Sequence, residues 1–335
     1  MCTRVFWSDN GVAKVCSRTM DWQVSDDPVL WAVPEGTRRV AGDAAWESRY
    51  GVVGLSMWDC GTTDAVNSAG LAAHLLYLGT AGFAAPGSPG AITNLLWAQW
   101  VLDHCATVDE AVAALHDLPV VSAPARGQEL GCHLALEDAS GDSAIVEPID
   151  GKLRVHHAPQ YQVVANDPPF DEQLEHLRHY RPFGGDRLLP GGIESTDRFV
   201  RAAYFLHYLP EPADLSEAIA GVVSIAGTVS CPPGAPYEDF GVYPTWWTSA
   251  TDLTNLTFYF WSHSSPSLIW VELSAIDLRP GTPVRSLNPR QPCLVADWRS
   301  GEHSCPVIEG QAVADEVAQV EGGGAVLAGR RCPVA

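Results

Sequence analysis

The stretch Cys2-Thr3-Arg4-Val5-Phe6-Trp7-Ser8-Asp9-Asn10-Gly11-Val12-Ala13-Lys14-Val15-Cys16-Ser17-Arg18-Thr19-Met20-Asp21-Trp22 decides how the rest of the chain is read. Residues 2–7 alternate and carry β-branched and aromatic side chains, which predicts a strand. Ser8-Asp9-Asn10-Gly11 is a turn, with Asn-Gly the strongest short-range hairpin signal in the region. Residues 12–17 predict the returning strand. Such a hairpin brings Arg18 and Asp21 back beside Cys2.

Cys2 directly follows Met1. With Met1 removed, Cys2 presents a thiol and a free α-amine, which titrate near ~8.5 and ~8. One residue then supplies both nucleophile and base, like threonine nucleophiles activated by their own N-terminal amine. The structural alternative is the second residue of a frayed terminus.

Working outward, the 335 residues are 46% hydrophobic, enough for a substantial core in one large domain or two. Forty acidic against twenty basic residues give a formal charge of −20. That surface repels phosphate backbones and anionic headgroups, so neither nucleic acid nor membrane is an expected partner. The nine cysteines are odd in number and scattered, with no CxxC pair, which indicates neither a zinc site nor a disulfide framework. Cys16, Cys60, Cys105 and Cys132 sit in apolar contexts and read as small buried hydrophobes. Cys293, Cys305 and Cys332 could pair in an oxidising compartment. No secretory signal and no membrane-spanning apolar run is visible, so a cytoplasmic protein is expected, or a periplasmic or secreted one if a native signal was removed.

Further along, residues 29–34, 50–57 and 71–78 predict strands, the last apolar enough to be buried on both faces. Residues 80–90 form a Gly-, Ala- and Pro-rich loop that could border a pocket. Residues 92–104 and 108–116 predict helices, the second capped by Thr107. Strands follow at 132–136, 143–148, 152–156 and 161–165, then helices at 171–180, 195–207 and 215–225. Residues 246–252, 256–261 and 267–273 predict consecutive antiparallel strands. The pattern decays beyond about Asn288, and residues 307–335 read as a mobile tail. This order suggests two sheets with helices outside, an α+β layered architecture over residues 1–288 with a C-terminal extension, 289–335. No glycine-rich nucleotide motif follows a strand.

Met1-Cys2-Thr3-Arg4, Ser17-Arg18-Thr19-Met20-Asp21-Trp22, Val164-Ala165-Asn166-Asp167-Pro168 and Ser195-Thr196-Asp197-Arg198-Phe199-Val200-Arg201 occur in this order. Together they resemble the choloylglycine hydrolase family, which holds bile salt hydrolases and penicillin V acylases, over roughly residues 2–288. The resemblance implies the four-layer αββα sandwich of N-terminal nucleophile hydrolases and cleavage of a linear amide of a small N-acylated substrate. Cys2 would attack the carbonyl and form a thioester that water hydrolyses, with no metal or cofactor. Asp21 would accept a hydrogen bond from the Cys2 α-amine, and Arg18 would favour the thiolate. Asn166 would direct its amide N–H at the oxyanion, and Arg198 would hold the network together. As plain structure, Arg18 and Asp21 could be an ion pair under the hairpin, Asn166 a turn residue and Arg198 a solvated helix residue.

The position that is Asn in bile salt hydrolases falls on Tyr77, as in penicillin V acylases, and its backbone N–H is expected in the oxyanion hole. Tyr77 also offers an aromatic wall for a phenoxyacetyl or acyl chain, and Trp22, Trp58 and Phe83 are further candidate wall residues. The alternative is that Tyr77 only ends a buried strand and the tryptophans are core. The branch resembled includes enzymes that deacylate N-acyl homoserine lactones. Family resemblance further implies a homotetramer. A bile salt hydrolase and a non-catalytic binding scaffold are the competing functional readings.

Overall fold

The structure, a computed structural model, describes residues 2–41, 44–237, 241–265 and 268–289. Its strands in chain order are β1 (Cys2–Trp7), β2 (Val15–Asp21), β3 (Val29–Val33), β4 (Arg38–Ala41), β5 (Ala44–Glu47), β6 (Val52–Met57), β7 (Gly61–Asn67), β8 (Leu71–Tyr77), β9 (Ile92–Thr93) and β10 (Val120–Val121). They continue with β11 (Cys132–Asp138), β12 (Ser143–Ile149), β13 (Lys152–His157), β14 (Val163–Val164), β15 (Thr245–Asp252), β16 (Thr257–Ser262), β17 (Ile269–Glu272) and β18 (Arg285–Leu287). The helices are α1 (Trp97–His104), α2 (Val108–Leu115), α3 (Phe170–Leu177), α4 (Ser195–His207) and α5 (Leu215–Val229).

Two antiparallel sheets carry the architecture. One runs β14-β1-β2-β15-β16-β17 and the other β13-β12-β11-β8-β7-β6-β3-β18. α4 and α5 pack on β1 and β2, while α1 packs on β7 and β8 and α2 on β11 to β13. The layers are therefore helix, sheet, sheet, helix, and both faces of the central strands are covered. Every residue of β1 and β2 is buried. β8 is buried along most of its length on both faces, as its apolar run predicts.

The first turn is built by Asn10. Its side-chain oxygen accepts from the Val12 and Ala13 amides, both at 2.9 Å, and its amide donates to the Trp7 carbonyl. Gly11 follows with φ +75°, a conformation that costs glycine nothing. This local bonding holds the chain out of the ladder until Val15, so the return strand spans 15–21 rather than 12–17. The register sets Cys2 opposite Met20 and Arg4 opposite Arg18. Since strand side chains alternate, Cys2, Arg4, Cys16, Arg18 and Met20 face the opposing sheet. Thr3, Ser17, Thr19 and Asp21 face the helices.

Other elements depart from expectation. β7 is missed by periodicity because Gly61-Thr62-Thr63-Asp64 is polar, although Asp64 is completely buried. The small β4–β5 hairpin is missed as well. Residues 92–93 are a short strand, and only 97–104 of the expected first helix is α-helical. Cys60 is disulfide-bonded and only partly buried, in a turn after β6, rather than a free buried thiol. Met1 and residues 290–335, which include most of the predicted extension and Cys293, Cys305 and Cys332, lie outside the described residues.

Candidate active site

Cys2 lies at the start of β1 with 2% of its surface exposed, where the hairpin, β8 and the segment after β14 converge. From the inter-sheet side, Arg18 Nη2 stands 3.2 Å from Cys2 Sγ and also reaches Met20 Sδ at 3.1 Å and the Leu75 carbonyl at 3.0 Å. The guanidinium stacks on the Trp247 ring, 4.5 Å from its centroid. The guanidinium is thereby pinned against the sulfur, with both groups buried.

The helix side holds the backbone of Cys2. Arg198, completely buried on α4, donates through Nη1 to the Cys2 carbonyl (2.9 Å), Thr3 Oγ1 (2.6 Å) and Asp21 Oδ2 (3.2 Å). Its Nη2 donates to Asn166 Oδ1 at 3.0 Å. That same oxygen accepts from the Cys2 nitrogen. Asp21 Oδ1 accepts from Thr245 Oγ1 at 2.6 Å, so the carboxylate is bonded from two sides.

Asn166 is fixed in turn. Its backbone N–H donates to Ser195 Oγ (2.9 Å), and its carbonyl accepts from Gln173 Nε2 (2.6 Å). Its side-chain Nδ2 donates to the Tyr77 carbonyl at 2.6 Å, which joins the end of β8 to the cysteine. The structure thus brings together Cys2, Arg18, Asp21, Tyr77, Asn166 and Arg198, six residues drawn from four separate regions of the sequence.

Cys2 and Arg18 line a cavity that opens beside the sulfur. Its walls are apolar and come from Met20, Trp22, Met57, Leu75, Leu95 and Leu130. Trp22 and Tyr77 form one side, with ring centroids 5.2 Å apart. Burial, followed by the nearby Asp167 carboxylate, raises the Tyr77 phenol above its ordinary pKa, so the hydroxyl stays neutral. Gly61 and Gly131 also border this space; a β-carbon at either would come within 2.2 Å of a backbone oxygen.

Trp58 and Phe83 are not brought to the cavity. The Trp58 indole is turned away and donates to the Ser25 carbonyl at 2.9 Å, and the wall is formed by its neighbour Met57. Phe83 packs on the core between the larger sheet and its helices. Aromatic character alone does not separate wall from core.

Sequence reasoning missed the charges behind Arg18. Asp64 on β7, His74 on β8 and Glu137 on β11 are all buried. His74 Nδ1 is 2.6 Å from Asp64 and its Nε2 is 2.5 Å from Glu137. Glu137 also pairs with Arg4 Nε at 3.3 Å. Burial alone would lower the His74 pKa, but Asp64 and then Glu137 overcome it and hold the ring well above its usual value. Burial would raise Glu137, yet His74 and Arg4 bring it down to about 2. The available signal was a single histidine inside an otherwise apolar strand, since a buried imidazole needs partners.

Two groups could offer ligand atoms to a metal ion: Cys16, His74 and Glu137, and the more exposed Asp109, Asp142 and His157. In the first, the 2.5 Å between His74 and Glu137 is a hydrogen bond, shorter than the roughly 3.3 Å between two ligands of one tetrahedral ion. Burial, then Glu137, keeps the Cys16 thiol protonated, at about 12.

Layer order and hairpin register are those of the four-layer N-terminal nucleophile hydrolase architecture. The sequence matches the choloylglycine hydrolase family of linear amide C–N hydrolases over residues 2–293, and the chain belongs to that family. It is 35% identical to a penicillin V acylase of Pectobacterium atrosepticum, aligned over 90% of this chain and 89% of the relative. It is 26% identical to a bile salt hydrolase/transferase of Bifidobacterium longum over 80% of this chain and 94% of that one. Among solved structures, penicillin V acylase from Agrobacterium tumefaciens superposes with a TM-score of 0.78 at 38% identity, covering 86% of this chain and 91% of that one. A conjugated bile acid hydrolase from Clostridium perfringens shares the fold, with a TM-score of 0.75 at 19% identity over 86% of this chain and 96% of that one. No helix among the described residues is long and apolar enough to cross a membrane.

Proposed function

We propose that the chain is an amidohydrolase of the penicillin V acylase type, with Cys2 as nucleophile once Met1 is removed. The observation that carries this reading is the Arg18 guanidinium 3.2 Å from Cys2 Sγ beside an apolar cavity. The α-amine takes the thiol proton as sulfur attacks the amide carbonyl, then delivers it to the departing amine. The thioester left on sulfur is cleaved by water, which restores the thiol and releases the acid. Asn166 Nδ2 and the Tyr77 backbone are the candidate oxyanion donors. Arg198, paired with Asp21, keeps the Cys2 backbone in place.

The cavity walls favour an aryl or alkyl acyl group, phenoxyacetyl or the chain of an N-acyl homoserine lactone. The Trp22–Tyr77 pair gives the cavity an aromatic wall, which suits a flat aryl group. Comparing turnover of penicillin V, glycocholate and a long-chain acyl homoserine lactone tests this; preference for glycocholate would overturn it. Fractionation of the native host tests whether the chain resides in the cytoplasm or in the periplasm. A homotetramer is the assembly that family resemblance supports, and light scattering on the purified protein tests it.

A further inference from the structure

One oxygen decides where the Arg18 charge can go. Asp64 Oδ2 is 2.6 Å from His74 Nδ1 but 4.0 Å from Arg18 Nε. The histidine is clamped on its other side by Glu137, which Arg4 also grips. Arg18 Nε and Nη1 make no hydrogen bond among the described residues, whereas Nη2 is committed to Cys2 Sγ, Met20 Sδ and the Leu75 carbonyl.

We propose that His74 is a positioning residue for the Cys2 reaction: its imidazolium holds Asp64 Oδ2, the carboxylate oxygen that faces Arg18, so that this oxygen does not capture Arg18 and draw it off the sulfur. Two carboxylates on one ring require both ring nitrogens to donate, which defines the imidazolium. Without that ring charge, Asp64 would close the 4.0 Å gap to Arg18 Nε and form an ordinary ion pair. The guanidinium would then answer to a fixed carboxylate instead of a thiolate. Asp64, Glu137 and Cys16 are the titratable groups that meet His74 directly, from β7, β11 and β2. Arg4 and Arg18 lie one contact further. Asp26 reaches Arg18 across the Trp247 ring, through the 2.9 Å bonds from its indole N–H. Cys16 stays a neutral thiol and adds no charge.

Charge counting separates this role from simple packing. His74→Gln lowers the charge of the cluster by one, Asp64→Asn raises it by one, and the double variant restores it. The proposal rests on the reading of Cys2 as nucleophile, but its readout does not, because thiol alkylation needs no turnover. The experiment follows iodoacetamide labelling of Cys2 against pH, by peptide mass spectrometry, in the full chain with Met1 removed. His74→Gln is expected to cut labelling at neutral pH roughly tenfold and shift its profile about one unit to higher pH. Asp64→Asn should shift it to lower pH, and the double variant should return it towards wild type. If His74→Gln is too unstable to purify, the Asp64→Asn shift carries the test alone. Unmoved profiles in the folded variants, or shifts of both single variants in one direction, would overturn the proposal. Retained turnover in Cys2→Ala would instead remove the nucleophile reading and leave the labelling result standing.

Discussion

On its helix face the β1–β2 hairpin meets one matched pair, Arg198 and Asp21, whereas its inter-sheet face meets three cations, Arg4, Arg18 and His74, interleaved with Asp64 and Glu137. The first is closed: Arg198 spends its donors on the Cys2 carbonyl, Thr3, Asp21 and Asn166, and Asp21 is bonded by Thr245. The second leaves Arg18 a guanidinium nitrogen on the sulfur itself. One face of a two-stranded ribbon thus places the backbone of Cys2, and the other sets the electrostatics of its thiol. Cys2 belongs to both because its carbonyl and its side chain look opposite ways.

The largest effect should come from the residue the two faces share. Cys2→Ala is expected to lower kcat by a factor on the order of 10⁴–10⁶ while the melting temperature stays close to wild type, since one sulfur is lost from a packed site. Breaking the helix face should be chiefly a stability defect. Arg198→Leu leaves Asp21 buried without its cation and should cost about 3–5 kcal/mol in urea unfolding.

The inter-sheet face should appear in the pH dependence. Glu137 is held at about 2 against an ordinary 4.5, so the unfolded chain binds the proton more tightly. Its contribution is complete above pH 4.5 and is lost as pH falls through that range to about 2, on the order of 3 kcal/mol. Glu137→Gln should flatten this part of the unfolding curve. Asp26 runs the other way: burial raises it from 3.8 to about 6, so stability falls as pH rises through that interval. Asp26→Asn should remove that slope, again read from chemical unfolding at successive pH values.

The smallest effect is expected at the wall. Trp22→Ala should raise KM for penicillin V by roughly tenfold, the loss of one aromatic contact of about 1 kcal/mol or slightly more, with kcat little changed. A fall in kcat equal to that of Cys2→Ala would place Trp22 with the chemistry instead.

The helix face was largely legible in the sequence. Asn10-Gly11 announces the hairpin, and the motifs around Arg18, Asp21, Asn166 and Arg198 resemble a known family. On the inter-sheet face only Arg18 was. Asp64, His74 and Glu137 lie on three strands, and their meeting depends on how β7, β8 and β11 pair and which way each side chain points. Asp64 hid the strand that carries it, since a buried carboxylate breaks the apolar alternation by which strands are read. Trp58 and Phe83 show the same limit at the wall: their side chains answer to Ser25 and to the second core, choices set by tertiary packing. The Cys60 disulfide was obscured by the odd, scattered spacing of the cysteines.

The central claim is that Cys2 carries the acyl group. Intact-protein and N-terminal peptide mass spectrometry of enzyme acid-quenched during penicillin V turnover tests it most directly. Expected is a chain that begins at Cys2 and bears one phenoxyacetyl group on that residue, absent from Cys2→Ala. An active protein that retains Met1, or an acyl group trapped on any other residue, would contradict it.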